Sequence, residues 1–531
     1  MTASIPVKEL ITYGDTHSFT PIALDLHNAE ERLLPFAGKF FSETTLVEQI
    51  DFKAQSPTNR DVLHASLVKQ YEGIKLNAKV KANIELIRDQ QTFTVTTGHQ
   101  LGLFTGPLYF IYKIIHTINL AERATQLYPG KAVVPVFWMA TEDHDFAEVA
   151  AASINGAKVQ WDKDAKGMPV GRLSLDDIQT VFSTLESVLG DGPKAAEILT
   201  FLKKCYQPGY NLAKATRLLV NELFGKYGIV IIDGDDAALK ALFAPVVRAE
   251  LENQIAFKSV SEVTNQLSKQ YKAQVNPREC NLFLFEEGVR RRIDRTDHGF
   301  MLADTAIRFT LPELLKRLEE RPEDFSPNVI LRPVYQEVLL PNLAYIGGGG
   351  ELAYWLQLRE LFSTLNIPFP LLVLRNSVQL IETDEKVLMD KIGLNTKDIF
   401  LPVQQLYKSL LTNVESEDFY SLTKQLEYQA AAFEALAASV GEKDPTLVAH
   451  VQANEKFLQG LEKKLYRVAR NKHSSTLAQI DRLKESVFPG GGLQERKDNI
   501  FTFIFRHGFE VMDELVQQLD PENREFTVLY L

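Results

Sequence analysis

Residues 92–97 (TFTVTT) are β-branched and short, and the glycine-punctuated stretch 98–107 (GHQLGLFTGP) follows them. Ile111, Ile115 and Ile118 then recur at helical spacing, which predicts a helix over residues 108–128. A second apolar run, residues 133–140 (VVPVFWMA), is nearly continuous, as expected of a strand covered on both faces. Together these segments predict a βαβ unit. The same grammar recurs at residues 228–232, 343–346 and 370–374, with a glycine run at 347–350 before a helix expected over 352–365. Strands alternating with helices predict an α/β fold built on a doubly wound, mostly parallel sheet. The less regular stretches 153–227 and 245–327 are expected to hold helical crossovers and inserted subdomains.

From about residue 382 glycine and proline thin out. Phe419, Leu422, Leu426, Phe433, Leu436 and Val440 follow a heptad, and Leu458, Leu461, Leu465 and Val468, then Ile480, Leu483 and Val487, form a second seam. With a reversal at residues 441–445 the pattern predicts an antiparallel helical coiled-coil hairpin, kinked where the phase slips near residues 472–475. The expected plan is a core over 1–381 with insertions at about 153–227 and 245–327, the hairpin over 382–489, and a segment 490–531 that packs back on the core.

Length and composition narrow the function classes. A chain of 531 residues is expected to form two to four compact units. A formal net charge of −11 argues against a protein that holds nucleic acid by broad phosphate neutralisation. The N-terminus lacks the basic start and apolar run of a signal peptide, and no stretch is long and apolar enough to span a bilayer, so a cytoplasmic chain without a membrane partner is expected. The two cysteines, Cys205 and Cys280, lie far apart and support neither a disulfide framework nor a cysteine-based zinc site. A thiol handled by this protein therefore belongs to its substrate.

In an open parallel sheet, ligands bind beyond the carboxyl ends of the strands, which singles out the loops at 98–107, 141–148, 233–236, 347–351 and 375–377. Gly98, Gly102 and Gly106 permit tight turns and close backbone approach, for a phosphate or simply for a connector; His99 and Gln100 stand in the same loop. Lys113, early in the next helix, either reaches an anion or snorkels to solvent. Glu142, Asp143, His144 and Asp145 are consecutive ionisable groups after a buried strand, suited to a divalent ion, to orienting an amine or to acid–base work, with a helix-capping turn as the alternative. Gly347, Gly348 and Gly350 let the backbone lie against a ligand, and Glu351 either receives an amine or ribose hydroxyl or complements the helix dipole. Arg332 and Arg375 are each a carboxylate clamp or a structural ion-pair partner. Asp233, Asp235 and Asp236 read as an acidic surface turn or as contacts to a ribose or metal.

The runs TGHQLGLFTGPLYFIYK, VVPVFWMATEDHDFAEV, SPNVILRPVYQEVLLPNLAYIGGGGELAYWLQL and PFPLLVLRNS, followed by the helical stretch and PGGGLQER, resemble the cysteine-adding enzymes of bacillithiol biosynthesis. The resemblance covers essentially the whole chain. It implies a Rossmann-like core with connecting-peptide insertions and a coiled coil used for homodimerisation. It also implies a ligase that adds L-cysteine to the amine of glucosaminyl malate. Two positions depart from the family pattern: His99 stands where glutamine is common, and Gly349 where proline is usual, which should loosen that turn.

Because a carboxylate is a poor acyl donor, ATP, with Mg2+, is the expected activator, through an acyl-adenylate or an acyl-phosphate. The core is similar in outline to class I aminoacyl-tRNA synthetases, without a counterpart of their lysine-rich second signature. Under this reading Asp143, His144 and Asp145 are the catalytic candidates. Gly98, His99, Gln100, Gly102, Gly106, Lys113, Glu142, Gly347, Gly348, Gly350, Glu351 and Tyr354 shape nucleotide and cysteine pockets, and Arg332 or Arg375 holds malate carboxylates. Two other classes stand beside it: a metal-dependent hydrolase using the 142–145 cluster, and an assembly protein that works through the hairpin with a ligand-sensing core.

Overall fold

The computed structural model describes residues 7–414 and 470–531, with scattered positions between 424 and 468. Two compact units form. One comprises Ser18–Val378 and Glu495–Thr527, the other Met1–His17, Gln379–Gln494 and Val528–Leu531.

The first unit is built on five parallel strands: β1 (Thr92–His99), β2 (Ala132–Met139), β3 (Val230–Asp233), β4 (Asn342–Gly347) and β5 (Leu371–Leu374). Their spatial order is β5-β4-β1-β2-β3. The chain steps outward from β1 to β3, then returns to the other side of β1 for β4 and β5. The order therefore reverses between β1 and β4, which is where a doubly wound sheet opens a crevice. Pro135 sits inside β2 without breaking the sheet, because pairing to β3 begins only at Val136.

Helix α1 (Tyr109–Leu127) returns the chain from β1 to β2 and, with the helix Glu43–Ala54, covers one face. Phe93, Val95, Leu120, Ala121, Ala124, Val133, Leu343, Ile346 and Val373 form the core there. After β3 comes α2 (Ala237–Asn253), before β4 α3 (Leu331–Leu339), and after β4 α4 (Gly349–Trp355). The single helix expected over 352–365 is instead two, α4 and Arg359–Thr364, with helical structure already starting within the glycine run. The break falls at the fully buried Gln357. Its Oε1 accepts from the amides of Gln274 and Val275 at 3.0 and 3.1 Å, and its Nε2 donates to Thr264 Oγ1 at 2.7 Å.

The stretch 153–227 contributes the helices Gln179–Leu189, Pro193–Cys205 and Leu212–Phe224. The stretch 245–327 carries a five-stranded antiparallel sheet whose central members are Leu282–Glu286, Val289–Thr296 and Gly299–Leu302.

The strands Val7–Ile11, Phe526–Tyr530 and Val378–Ile381, which fall mostly in the second unit, form a small sheet, and the same unit holds the helices Thr383–Ile392, Val403–Val414 and Ser474–Val487. Ile480, Leu483 and Val487, expected on a seam, are buried. The last helix begins after His473, where the heptad phase slips. Phe419, Leu422, Leu426, Phe433, Val440, Leu458, Leu461, Leu465 and the reversal at 441–445 lie outside the described residues. Among the described residues no helix is long and apolar enough to cross a membrane.

Candidate active site

The crevice between the ends of β1 and β4 is a cleft of about 1110 Å³. It is lined by Gly98, His99 and Gln100 after β1, Lys113 from α1, Glu142 and Asp143 after β2, Arg332 from α3, Gly348, Gly350, Glu351 and Tyr354 after β4, and Arg375 after β5. Twelve of the expected site residues thus converge, although they are spread over nearly 280 positions of the chain. Gly102, Gly106, Gly347, His144 and Asp145 are not among its lining residues.

The glycine loop after β1 works as a strut. Phe104, Thr105 and Gly106 all have positive φ (50°, 79° and 67°), and a Cβ on Gly102 would lie 3.0 Å from the Cα of Gly106. The amides that a phosphate would use are already engaged: Phe104 N donates to Tyr206 Oη at 3.1 Å, Thr105 N to Gly102 O at 3.1 Å and Gly106 N to Leu103 O at 2.9 Å. Buried Asn499 donates to the carbonyls of Phe104 and Gly106, both at 2.7 Å. His99 packs on Tyr109 and Phe110, and its Nδ1–H donates to the Gln100 carbonyl at 2.8 Å. Burial, reinforced by the Lys113 charge, pushes its pKa down to about 4, so the imidazole is neutral at physiological pH.

At the cleft floor Lys113 donates to Gly98 O at 2.8 Å and is ion-paired with Glu351, which also accepts from the Tyr345 hydroxyl and from Gly348 N at 3.3 Å. Burial opposes the charge on both partners. Lys113 is pulled below its usual range, while the lysine and tyrosine contacts hold Glu351 below the usual carboxylate value. Arg332 reaches Gln336 Oε1 at 3.2 Å and Tyr345 Oη at 3.4 Å, neutral hydrogen-bond partners, and also feels Tyr354 and the Glu351 charge. Gly349 stands against the helix Pro21–His27, where a Cβ would lie 2.8 Å from that of Ala23.

The acidic loop after β2 divides its groups. Asp143 is fixed by three N–H donors: Gln100 Nε2 on Oδ2 at 2.6 Å, and the amides of His144 and Asp145 on Oδ1 at 2.7 and 3.3 Å. Its neighbour Glu142 is ion-paired with Lys240 of α2 at 2.7 Å, and the same ammonium lies 3.2 Å from Asp235. Asp235 in turn binds Arg172 through two contacts of 2.7 Å. The imidazole of His144 meets Arg290 at 3.1 Å and packs on Phe283. Asp145 is exposed at the start of the short helix Phe146–Val149 and makes no side-chain cap bond. Backbone bonds from Val170 N to Asp143 O (2.6 Å) and from Gly171 N to Thr141 O (2.9 Å) pin the loop. Asp233, half-buried and bonded to Thr141, is pushed up to about 6 by desolvation. Among the described residues no group of three or more His, Cys, Asp or Glu side chains is placed to hold a metal ion.

Arg375 donates Nη1 and Nη2 to the two carboxylate oxygens of Glu495 at 2.8 and 2.7 Å, with both side chains buried. Glu495 belongs to the run PGGGLQER, whose last residue, Arg496, lines the cleft, as does Arg278; both are exposed. Lys240, Arg290, Arg278, Tyr345, Glu495 and Arg496 escaped the sequence reading. Of these, Tyr345, Glu495 and Arg496 lay in runs that had drawn notice.

Comparison with known proteins agrees with this architecture. A family model described as "Bacillithiol biosynthesis BshC, N-terminal Rossmann-like domain" matches residues 8–376, and one described as "Bacillithiol biosynthesis BshC, C-terminal coiled-coil domain" matches residues 378–531. Relatives named "Putative cysteine ligase BshC" from Flavobacterium johnsoniae and Flavobacterium psychrophilum are each 40% identical over 98% of this chain and 99% of their own length. The one from Christiangramia forsetii is 38% identical over 98% of both. A solved structure described as a putative arginyl-tRNA synthetase from Campylobacter jejuni is matched over 90% of this chain and 98% of its own, at 11% identity and a TM-score of 0.23. With both halves matched in order and relatives spanning its full length, this chain belongs to the bacillithiol biosynthesis BshC family and is an enzyme of the ligase class.

Proposed function

We propose that this enzyme joins the carboxyl carbon of L-cysteine to the amine of glucosaminyl malate, with ATP supplying the activation. The observation that carries the reading is the mixed charge of the cleft: Arg278, Arg332 and Arg496 line it together with Asp143 and Glu142. A small substrate bearing both an amine and carboxylates, together with a polyphosphate, finds complementary groups on one surface. Arg332 suits the malate carboxylates, because its direct hydrogen bonds go to neutral groups and a carboxylate is the better acceptor.

Asp143 is the group suited to receive the proton of the attacking amine. As nitrogen attacks the activated carbonyl carbon, the C–N bond forms, the bond from that carbon to the activating oxygen breaks, and the nitrogen loses its proton to the carboxylate. Three N–H donors hold Asp143 in one orientation, so little reorganisation accompanies the transfer. Mg2+ would accompany the nucleotide through phosphate oxygens and one or two carboxylates rather than in an all-protein cage.

The test is to incubate purified protein with L-cysteine and glucosaminyl malate, with and without ATP, and to resolve products by mass. The adduct is expected only when all three are present. Adduct formed equally without ATP would remove the nucleotide from the proposal, and no adduct under any condition would remove the ligation.

The same enzyme is proposed to act in the cytoplasm as a homodimer held by the coiled coil. Tyr428, Leu436, Phe457 and Val468 are exposed by 77, 52, 66 and 65%, apolar surface that a second copy would cover. Light scattering is expected to give twice the mass of one chain; a concentration-independent monomer contradicts it.

A further inference from the structure

The Asp143–Asp145 loop offers two side chains with acid–base chemistry close to the cleft, Asp143 and His144, and they are held differently. Nη1 of Arg290 lies 3.1 Å from Nδ1 of His144. A guanidinium has donors and no acceptor, so this contact is a hydrogen bond only if Nδ1 presents its lone pair. The proton of a neutral ring then sits on Nε2. Asp143 Oδ1, the nearest carboxylate oxygen to Nδ1, is 3.9 Å away and already accepts from two backbone amides.

Arg290 itself is anchored on other sides. Nε donates to Ser326 Oγ at 3.0 Å, Nη2 donates to Pro327 O at 2.7 Å, and the guanidinium lies over the Phe283 ring at 3.9 Å. Phe283 and Pro327 line the cleft, as Arg290 does, and Phe283 is also the ring on which His144 packs. Arg290 thus ties the loop after β2 to the antiparallel sheet of the insertion and to the segment that leads into α3.

We propose that Arg290 is a positioning residue that holds His144 as the neutral imidazole protonated on Nε2, so that His144 serves as a hydrogen-bond donor and proton acceptance in this loop falls to Asp143. The clause about Asp143 rests on the ligation proposed above; the clause about Arg290 and His144 does not. The charged groups that face the imidazole are Arg290, from the insertion sheet, and Asp143 and Asp145, from its own loop. Burial and the Arg290 charge depress its protonation, against the pull of the two aspartates. Removing the guanidinium removes one of the two depressing causes and the donor that selects the tautomer.

The experiment is long-range proton–nitrogen NMR on the full chain labelled with 15N-histidine, the His144 signal being the one lost in His144→Ala. At neutral pH the wild-type ring is expected to show a pyrrole-type nitrogen at Nε2 and a pyridine-type nitrogen at Nδ1. Arg290→Ala is expected to give a mixture of tautomers and a titration midpoint moved upward, and Arg290→Lys, which restores a cationic donor, to recover the Nε2–H form. A wild-type ring protonated on Nδ1, or doubly protonated at neutral pH, overturns the proposal even if no Arg290 variant folds. An unchanged tautomer in a folded Arg290→Ala overturns it too. These readouts need no turnover, so failure of the ligation assay and failure of this proposal are distinguishable. Where the assay shows turnover, Arg290→Ala is expected to gain an acidic limb near the ordinary histidine value that Arg290→Lys lacks. Identical pH profiles for Arg290→Ala and the wild type would contradict the assignment.

Discussion

Arg332 and Arg375 look alike in the sequence, each an isolated arginine beside apolar residues, and each was expected to clamp a carboxylate or to serve the fold. The structure separates them. Arg375 is buried and forked onto Glu495, a carboxylate supplied 120 positions later, so the protein provides its own anion. Arg332 hydrogen-bonds a glutamine and two tyrosine hydroxyls while lining the cleft, with the Glu351 charge acting on it without a direct ion pair among the described residues. An arginine forked onto a built-in carboxylate serves the fold; one whose direct hydrogen bonds go to neutral acceptors can still take a ligand's carboxylate.

The largest effect that tests this contrast is Glu495→Ala, which leaves the Arg375 charge buried without its counterpart. A loss of about 3–5 kcal/mol in urea unfolding is the scale for breaking such a pair. A loss below about 1 kcal/mol would mean that the pair is not what holds this part of the core.

Next in size is Asp143→Asn, which keeps shape and removes the proton acceptor. Turnover should fall roughly 10²-fold with KM little changed. Near-normal turnover in a folded variant would reduce the loop to a structural turn and shift attention to Glu351.

The direct comparison is between lysine substitutions. Arg332→Lys is expected to raise KM for glucosaminyl malate about tenfold by losing the planar fork, with unfolding unchanged. Arg375→Lys should lower stability first. If both variants moved KM alike, or both moved only stability, the two arginines would not differ as argued.

The smallest effect is a pH dependence. Asp233 has a folded pKa near 6 against an ordinary 3.8, so its ionisation opposes folding. Its contribution to stability is complete at low pH and is lost as pH rises from about 4 to about 6, then flat above. Asp233→Asn should flatten unfolding curves in that window. An unchanged pH profile would place the titration elsewhere.

The parallel strands were legible because two-sided burial leaves almost no polar position in VVPVFWM or VIID before its terminal carboxylate. The insertion sheet was not. Its strand Val289–Thr296 reads VRRRIDRT and is half-exposed along most of its length, so no run of apolar residues announces it. Helix lengths were legible where an apolar stripe persisted, as in α1, and failed after β4, where Gln357 interrupts the helix for the sake of bonds to residues some 80–90 positions earlier.

The candidate site followed the same division. The sequence by itself determined which loops lie at strand ends and which residue types they carry, because strand burial and helix periodicity are local patterns. It also determined the family, through long runs matched in order. Only the tertiary structure decided which of those groups reach the cleft. It used the amides of Phe104, Thr105 and Gly106 for the protein's own bonds, paired Glu142 with Lys240, set Arg290 against His144 and closed Arg375 onto Glu495. A side chain's role depends on what stands within about 3 Å of it, and folding brings those partners from tens to hundreds of positions away, beyond the reach of any local pattern.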